Sequence, residues 1–140
     1  MGLIEKYNEK SLEASLEVTF KDLIKPCIVS SYDVWNGKPH FFKQHMSENR
    51  IYNYKIKDVA RATSAAPTYF EAAQIENEIG TSFTLVDGGT FANNPSMVAY
   101  FEARAMTFDN KVKYPSAKDM LIISVGTGSK SKSYPYDKVK

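Results

Sequence analysis

Cysteine is almost missing from this sequence: Cys27 is the only one in 140 residues. A single thiol rules out an internal disulfide and a cysteine-based zinc cage, and its ordinary place is a packed core. Apolar runs of membrane-spanning length are missing, and residues 1–20 carry too many charges for a signal peptide. An excess of one charge is missing too. Eighteen basic against sixteen acidic residues leave a formal charge of +2. No basic stripe interleaved with aromatics is present, so nucleic acid is not expected as a partner. Histidine is scarce: His40 and His45 are the only two, and none follows them. Two histidines in and just beyond a turn region do not make a metal site, and both read as surface or edge residues. Repeats and low-complexity tracts are absent.

What is present is globular. The hydrophobic content of 43% and aromatic content of 13% fit one domain, or a large part of one, with a sizeable core. The most informative stretch is "SFTLVDGGTFANNPS", residues 82–96. Its residues 83–86 are β-branched, apolar or aromatic and read as a short buried strand that ends in turn chemistry at Asp87. Asn94 and Pro95 open a helix, because Asn caps orphan amides and Pro fits the first helical position; residues 96–106 then supply helix formers. The unit is strand, acidic glycine turn, helix. In open α/β sheets ligands lie beyond the carboxyl ends of strands, which is where Asp87 falls. Asp-Gly is also common in ordinary turns, where the carboxylate caps a neighbouring amide. The sharper reading makes Asp87 a base that activates a hydroxyl nucleophile, with Gly88 and Gly89 leaving the approach free of side chains.

Other segments fill out an α/β pattern. Residues 9–20 place Leu12 and Leu16 four apart and predict a helix with one leucine face. "CIVSSYDVWNGKPHFFK" predicts a hairpin with Asn36-Gly37 as a type I′ turn and residues 40–43 as the returning strand. "IKDVARATSAAPTYF" predicts an alanine-rich helix ending at Ala66, because Pro67 disfavours α geometry there. Tyr69 and Phe70 follow it and could contact an acyl chain, although aromatics after a helix end usually join a core. "DMLIISVGTGSK" has five apolar residues interrupted only by Ser124, the pattern of a strand buried on both faces. Its "GTGSKS" is not a phosphate loop, since Ser129 breaks the Gly-Lys-Ser/Thr order. Residues 130–140 read as a basic tail or the start of a linker.

"DVARATSAAPTYF", "TLVDGGTFANNPSMVAY" and "LIISVGTG", in this order after "SYDVWNGKPHFF", resemble the patatin-like phospholipases over roughly residues 12–128. The resemblance implies an α/β three-layer sandwich with a central, mostly parallel sheet. Residues 1–129 would be the later portion of its catalytic domain. It also implies lipid acyl hydrolysis of the phospholipase A type by a Ser-Asp dyad, with no metal and no cofactor. By that match Asp87 is the dyad aspartate, and Gly88 and Gly89 are the motif glycines. The implied partner is a lipid acyl ester at a membrane or micelle surface, and the implied location is cytoplasmic or membrane-peripheral.

Two parts of the family pattern have no counterpart. No Gly-x-Ser-x-Gly, the elbow that carries the serine nucleophile in that family, occurs: Ser64 sits in Thr-Ser-Ala and Ser129 follows Thr-Gly. The glycine-rich oxyanion loop that precedes the elbow is also without a match. The isolated chain is therefore expected not to hydrolyse lipid esters, since losing the nucleophile of a coupled site removes most of its power. A non-catalytic lipid- or protein-binding module is the alternative. A Ser-His-Asp hydrolase of the α/β class is not, because no histidine follows Asp87. With the elbow strand and helix lacking, apolar surface is expected to stay uncovered and to drive self-association or a partly molten state.

Overall fold

A computed structural model describes residues 17–108 and 112–128. The chain divides into two compact units, Met1–Pro95 and Ser96–Lys140. The first contains β1 (Ile28–Asp33), β2 (Lys38–Lys43), α1 (Ile56–Thr63), β3 (Ala73–Glu76), β4 (Ser82–Asp87) and a short α2 (Gly89–Ala92). Its sheet runs β2-β1-β4-β3 with every neighbouring pair antiparallel.

Period-two burial sets the inner face of this sheet. Ala73 and Ile75 alternate with exposed Gln74 and Glu76 along β3. The register brings Leu85 of β4 beside Ala73 and Asp33, and Phe42 of β2 beside Val29. Val59 and Ala62, three apart on α1, pack with Phe20, Phe42, Tyr54, Ala65, Ala73, Ile75 and Leu85 into the core. Phe42 and Tyr54 meet edge to face, with ring centroids 4.9 Å apart.

The hairpin forms where expected but turns differently. Asp33 pairs with Lys38, leaving a four-residue connection, 34–37. A type I′ turn needs positive φ at both central residues, and only Gly37 has it, at 63°. The buried Asp33 organises the loop instead: its Oδ1 accepts the amides of Trp35 and Asn36 at 3.1 and 3.0 Å, and its Oδ2 accepts Nδ2 of Asn36 at 2.7 Å. Burial alone would raise the Asp33 carboxyl, but these donors outweigh it and hold it below the usual aspartate value.

Several other expectations need correction. The alanine-rich helix stops at Thr63, not Ala66: Ser64 leaves helical geometry at φ −99° and ψ 0°, and the Ala65 amide bonds the Ala62 carbonyl at 3.3 Å instead of continuing the four-residue pattern. Cys27 is exposed rather than in the core. His45 is exposed, as expected, and His40 lies on the edge strand β2, as expected, but its ring is not at the surface: it packs against Phe42, Tyr54 and Phe83, at centroid distances of 4.7, 5.8 and 4.9 Å. The mostly parallel central sheet is not what these strands form. Two hairpins, β1–β2 and β3–β4, join through β1 and β4, and the long connection that carries α1 crosses from one edge strand, β2, to the other, β3, so that all the neighbours stay antiparallel. Of the helix expected over residues 9–20 only 17–20 are described, and it does not run to Phe20: Thr19 is extended and bridges Lys55, and Phe20 opens a 3-10 turn capped by Thr19. The basic tail lies outside the described residues.

The second unit holds α3 (Ser96–Ala105), which begins one residue beyond the start expected at Pro95. It also has a two-residue ladder of β5 (Thr107–Phe108) with β6 (Val112–Lys113). None of the residues of α3 is buried. Residues 121–125 form no strand, and Leu121 and Val125 are 86% and 90% exposed. A run apolar on both sides needs strand neighbours for its backbone and layers for its faces, and no described strand pairs with it. Among the described residues no helix is long and apolar enough to cross a membrane.

Candidate active site

The strand expected over residues 83–86 extends one residue each way, so that Asp87 is the last residue of β4. Its half-buried side chain leaves the sheet where β4 passes Ser31 of β1. The Asp87 amide donates to the Ala65 carbonyl at 3.0 Å, which ties the strand end to the segment after α1. Its Oδ1 accepts the Gly89 amide at 2.7 Å, the local cap that Asp-Gly sequences favour.

The two glycines have different reasons for lacking a side chain. Gly88 is buried with φ −62°, so left-handed geometry is not its role. A Cβ there would run into the hydroxyl, carbonyl oxygen and carbonyl carbon of Ser30, so close approach to β1 is what requires glycine. Gly89 is exposed, and a Cβ there would stand 3.2 Å from Oδ1 of Asp87 and 3.4 Å from Oδ1 of Asn93. A side chain at 89 would therefore crowd the carboxylate itself. The motif residues Asp87, Gly88 and Gly89 form one compact turn at the opening of α2.

Register places His40, Ser31 and Asp87 side by side on three adjacent strands. They do not make a nucleophilic triad. Ser31 is fully buried and donates its hydroxyl to the Val86 carbonyl at 2.6 Å. His40 is enclosed by rings, its Nε2 is buried without a hydrogen-bond partner, and burial lowers its pKa below the usual histidine value. Ser64 likewise donates back to α1, at 2.8 Å to the Ala60 carbonyl. Tyr69 and Phe70 are exposed rather than packed in the core. They follow Thr68, a β-branched residue held at φ 74° in the turn after Pro67. Sequence reading missed the contributions of Ser30, Ser31, Thr63 and Ala65 to this turn. The small side chains of "ATSAA" were the available signal for close backbone approach.

A cleft of about 680 Å³ opens elsewhere on the same unit, lined by Asn53, Tyr54, Lys55, Gln74, Ile75 and Glu78 among others. Asp87 is not part of its wall. Two of its amides are already committed: Asn53 accepts the Lys21 amide at 3.1 Å and donates to Glu78 at 2.8 Å, and Asn77 bonds Ile51 and Thr81.

Comparison with known proteins identifies the turn's setting. The family model described as patatin-like phospholipase matches residues 4–100. Patatin-like protein 8 of Arabidopsis thaliana is 32% identical over 94% of this chain and 26% of its own length. Probable inactive patatin-like protein 9 of the same plant is 33% identical over 92% of this chain and 36% of its own length. A cGAMP-activated phospholipase of Vibrio cholerae is 41% identical over 79% of this chain and 31% of its own length. The chain thus spans between about a quarter and just over a third of the length of these relatives. With the family match covering well over half of its residues, this chain belongs to the patatin-like phospholipase family.

Proposed function

We propose that this chain supplies the acidic half of a lipid acyl hydrolase, with Asp87 as the base of a Ser-Asp dyad. The observation that carries the reading is the placement of Asp87: a half-buried carboxylate at a strand end, held by its own amide to Ala65 and next to a glycine that β1 approaches closely. Such a carboxylate is fixed before substrate arrives, which a proton acceptor in a dyad requires. The serine and the oxyanion donors come from polypeptide outside these residues. Asp87 takes the serine proton as the serine oxygen attacks the ester carbonyl, and gives it to the departing alcohol oxygen as the ester C–O bond breaks and the acyl-enzyme forms. Asp87 then takes a proton from the water that attacks the acyl-enzyme and returns it to the serine oxygen as the fatty acid leaves. No metal or redox group is needed for either step. The substrate is a lipid acyl ester at a membrane or micelle surface, and the location is cytoplasmic or membrane-peripheral. In the same reading residues 121–125 become a strand of a mostly parallel central sheet once their neighbours are supplied.

The test is ester turnover by a polypeptide that combines residues 1–140 with an elbow-bearing segment, in one chain or by co-expression. Asp87→Asn is expected to lower kcat by roughly 10³–10⁴-fold, the scale for removing the orienting or basic member of a catalytic set. Turnover that survives Asp87→Asn at full rate overturns the proposal. A second reading, a non-catalytic module that keeps the sheet and binds lipid or protein, draws support from the relative named probable inactive, at 33% identity. It predicts no turnover even with the elbow supplied.

A further inference from the structure

The segment between α1 and β3 is rich in small side chains, and each of its first residues is hydrogen-bonded to a different place. Ser64 turns back to the helix, through its amide to the Ala60 carbonyl at 3.2 Å. Ala65 is fully buried and offers its carbonyl to the Asp87 amide at 3.0 Å. Thr63, half-buried at the helix end, donates its hydroxyl to the Ser30 carbonyl at 2.8 Å. Ser30 is the residue that faces Gly88 with no room for a Cβ. One position along β1, Ser31 donates its hydroxyl to the Val86 carbonyl at 2.6 Å, immediately before Asp87. The peptide that enters Asp87 is therefore bonded at both of its polar atoms, its carbonyl by the Ser31 hydroxyl of β1 and its amide to the Ala65 carbonyl after α1, while on the far side Gly88 packs against the Ser30 backbone.

Every hydroxyl has one proton to give, and both of these are given to backbone carbonyls in or beside the turn. Ser31 fixes the peptide entering Asp87. Thr63 fixes the β1 peptide against which Gly88 packs, and its own position at the helix end places Ala65 to receive the Asp87 amide. We infer that Ser31 and Thr63 are positioning residues for Asp87, holding its backbone so that the carboxylate faces the reacting hydroxyl. The inference rests on the reading of Asp87 as the base for its catalytic consequence, while its structural consequence stands without it. Neither hydroxyl touches substrate, so their loss should act on kcat through Asp87 and leave substrate binding alone.

The experiment has two arms. In the 140-residue chain, amide hydrogen exchange read by mass spectrometry in Thr63→Val and Ser31→Ala should quicken about 3–10-fold at Asp87 and Gly89, the effect of losing one net hydrogen bond. Exchange across the β1–β2 ladder, as at Val29 and Phe42, should stay unchanged, and Thr63→Ser should restore the slow rate. In the elbow-bearing polypeptide, Thr63→Val should lower kcat by about 10-fold, within the cost of misplacing a catalytic group, with KM unchanged. Thr63→Ser should recover it, and in an Asp87→Asn background Thr63→Val should cost nothing more. Exchange that quickens uniformly over the sheet, or kcat untouched by both variants while Asp87→Asn abolishes turnover, overturns the positioning role and leaves the base reading intact. Turnover indifferent to Asp87→Asn defeats the base reading alone, whatever the exchange shows.

Discussion

Leu85 and Ile123 are matching side chains in matching sequence, each inside a short apolar run that ends in a glycine turn, yet one is fully buried and the other is 75% exposed. Leu85 lies in β4 between β1 and β3, with α1 over its face. Ile123 lies in residues 121–125, for which no described strand offers a partner. The contrast teaches that an apolar period states a demand for burial without naming what meets it. In the first unit the demand is met by neighbours no more than about 65 residues away in sequence, whereas the described part of the second unit leaves it open.

The widest separation between the two regions should appear in stability. Leu85→Ala removes fully buried methyl groups and should destabilise the first unit by about 2–5 kcal/mol, whereas Ile123→Ala should change it by less than about 0.5 kcal/mol. Urea unfolding of both variants checks this, and sedimentation adds a second contrast: Ile123→Ala, but not Leu85→Ala, should weaken self-association. Equal loss of stability at both positions would mean that residues 121–125 are packed after all, and would erase the comparison.

A smaller difference is expected between two glycines. Gly88→Ala drives a methyl into the Ser30 backbone and should cost about 1–3 kcal/mol, while Gly126→Ala, whose nearest new neighbour would be 3.9 Å away, should be close to neutral. The same urea midpoints decide it. If both glycines tolerate alanine, the close approach of β1 to the Asp87 turn is not a constraint.

The smallest effect concerns pH and sharpens the account of the first core. His40 is kept neutral by burial among Phe42, Tyr54 and Phe83, with Asp33 favouring its charged form and Lys38 opposing it. Burial also pushes the adjacent Tyr54 phenol up to about 12, so it stays neutral throughout. Because the folded pKa of His40 lies below the unfolded value of 6.5, the unfolded chain binds more protons between the two. Stability is fully present above the unfolded value and falls as pH drops below it, by at most about 1.4 kcal/mol per pH unit, until the folded pKa is passed. Asp33 adds its own loss only at lower pH, below the ordinary aspartate value of 3.8. His40→Phe should flatten the upper part of the pH profile and leave the lower part in place. An unchanged slope between pH 6.5 and 5 in that variant would show that another group is responsible.

The candidate site was partly legible for a clear reason. The strand before Asp87, the glycine pair and the Asn-Pro helix start are all written within fifteen consecutive residues, 82–96, and depend on local backbone preferences. The hairpin was legible for the same reason, but its turn type was not, because Asp33 captures the loop amides and imposes four residues where Asn-Gly suggests two. His40 was placed at an edge correctly, but its packing against the core rings was not legible, because alternation along β2 does not say which face the rest of the fold will cover.

By itself the sequence determined the elements and the chemistry they carry: a carboxylate at a strand end, glycine beside it, small residues at the end of α1, and an apolar run at residues 121–125. Those follow from side-chain volume, β-branching and capping, which act over a few residues. Only the tertiary structure decided that β4 lies antiparallel between β1 and β3, that the Ala65 carbonyl receives the Asp87 amide, and that Ser31 and Thr63 bond carbonyls 55 and 33 residues away. Such contacts arise because buried backbone groups must find partners somewhere, and where they find them is settled by the packing of the whole sheet rather than by any local preference.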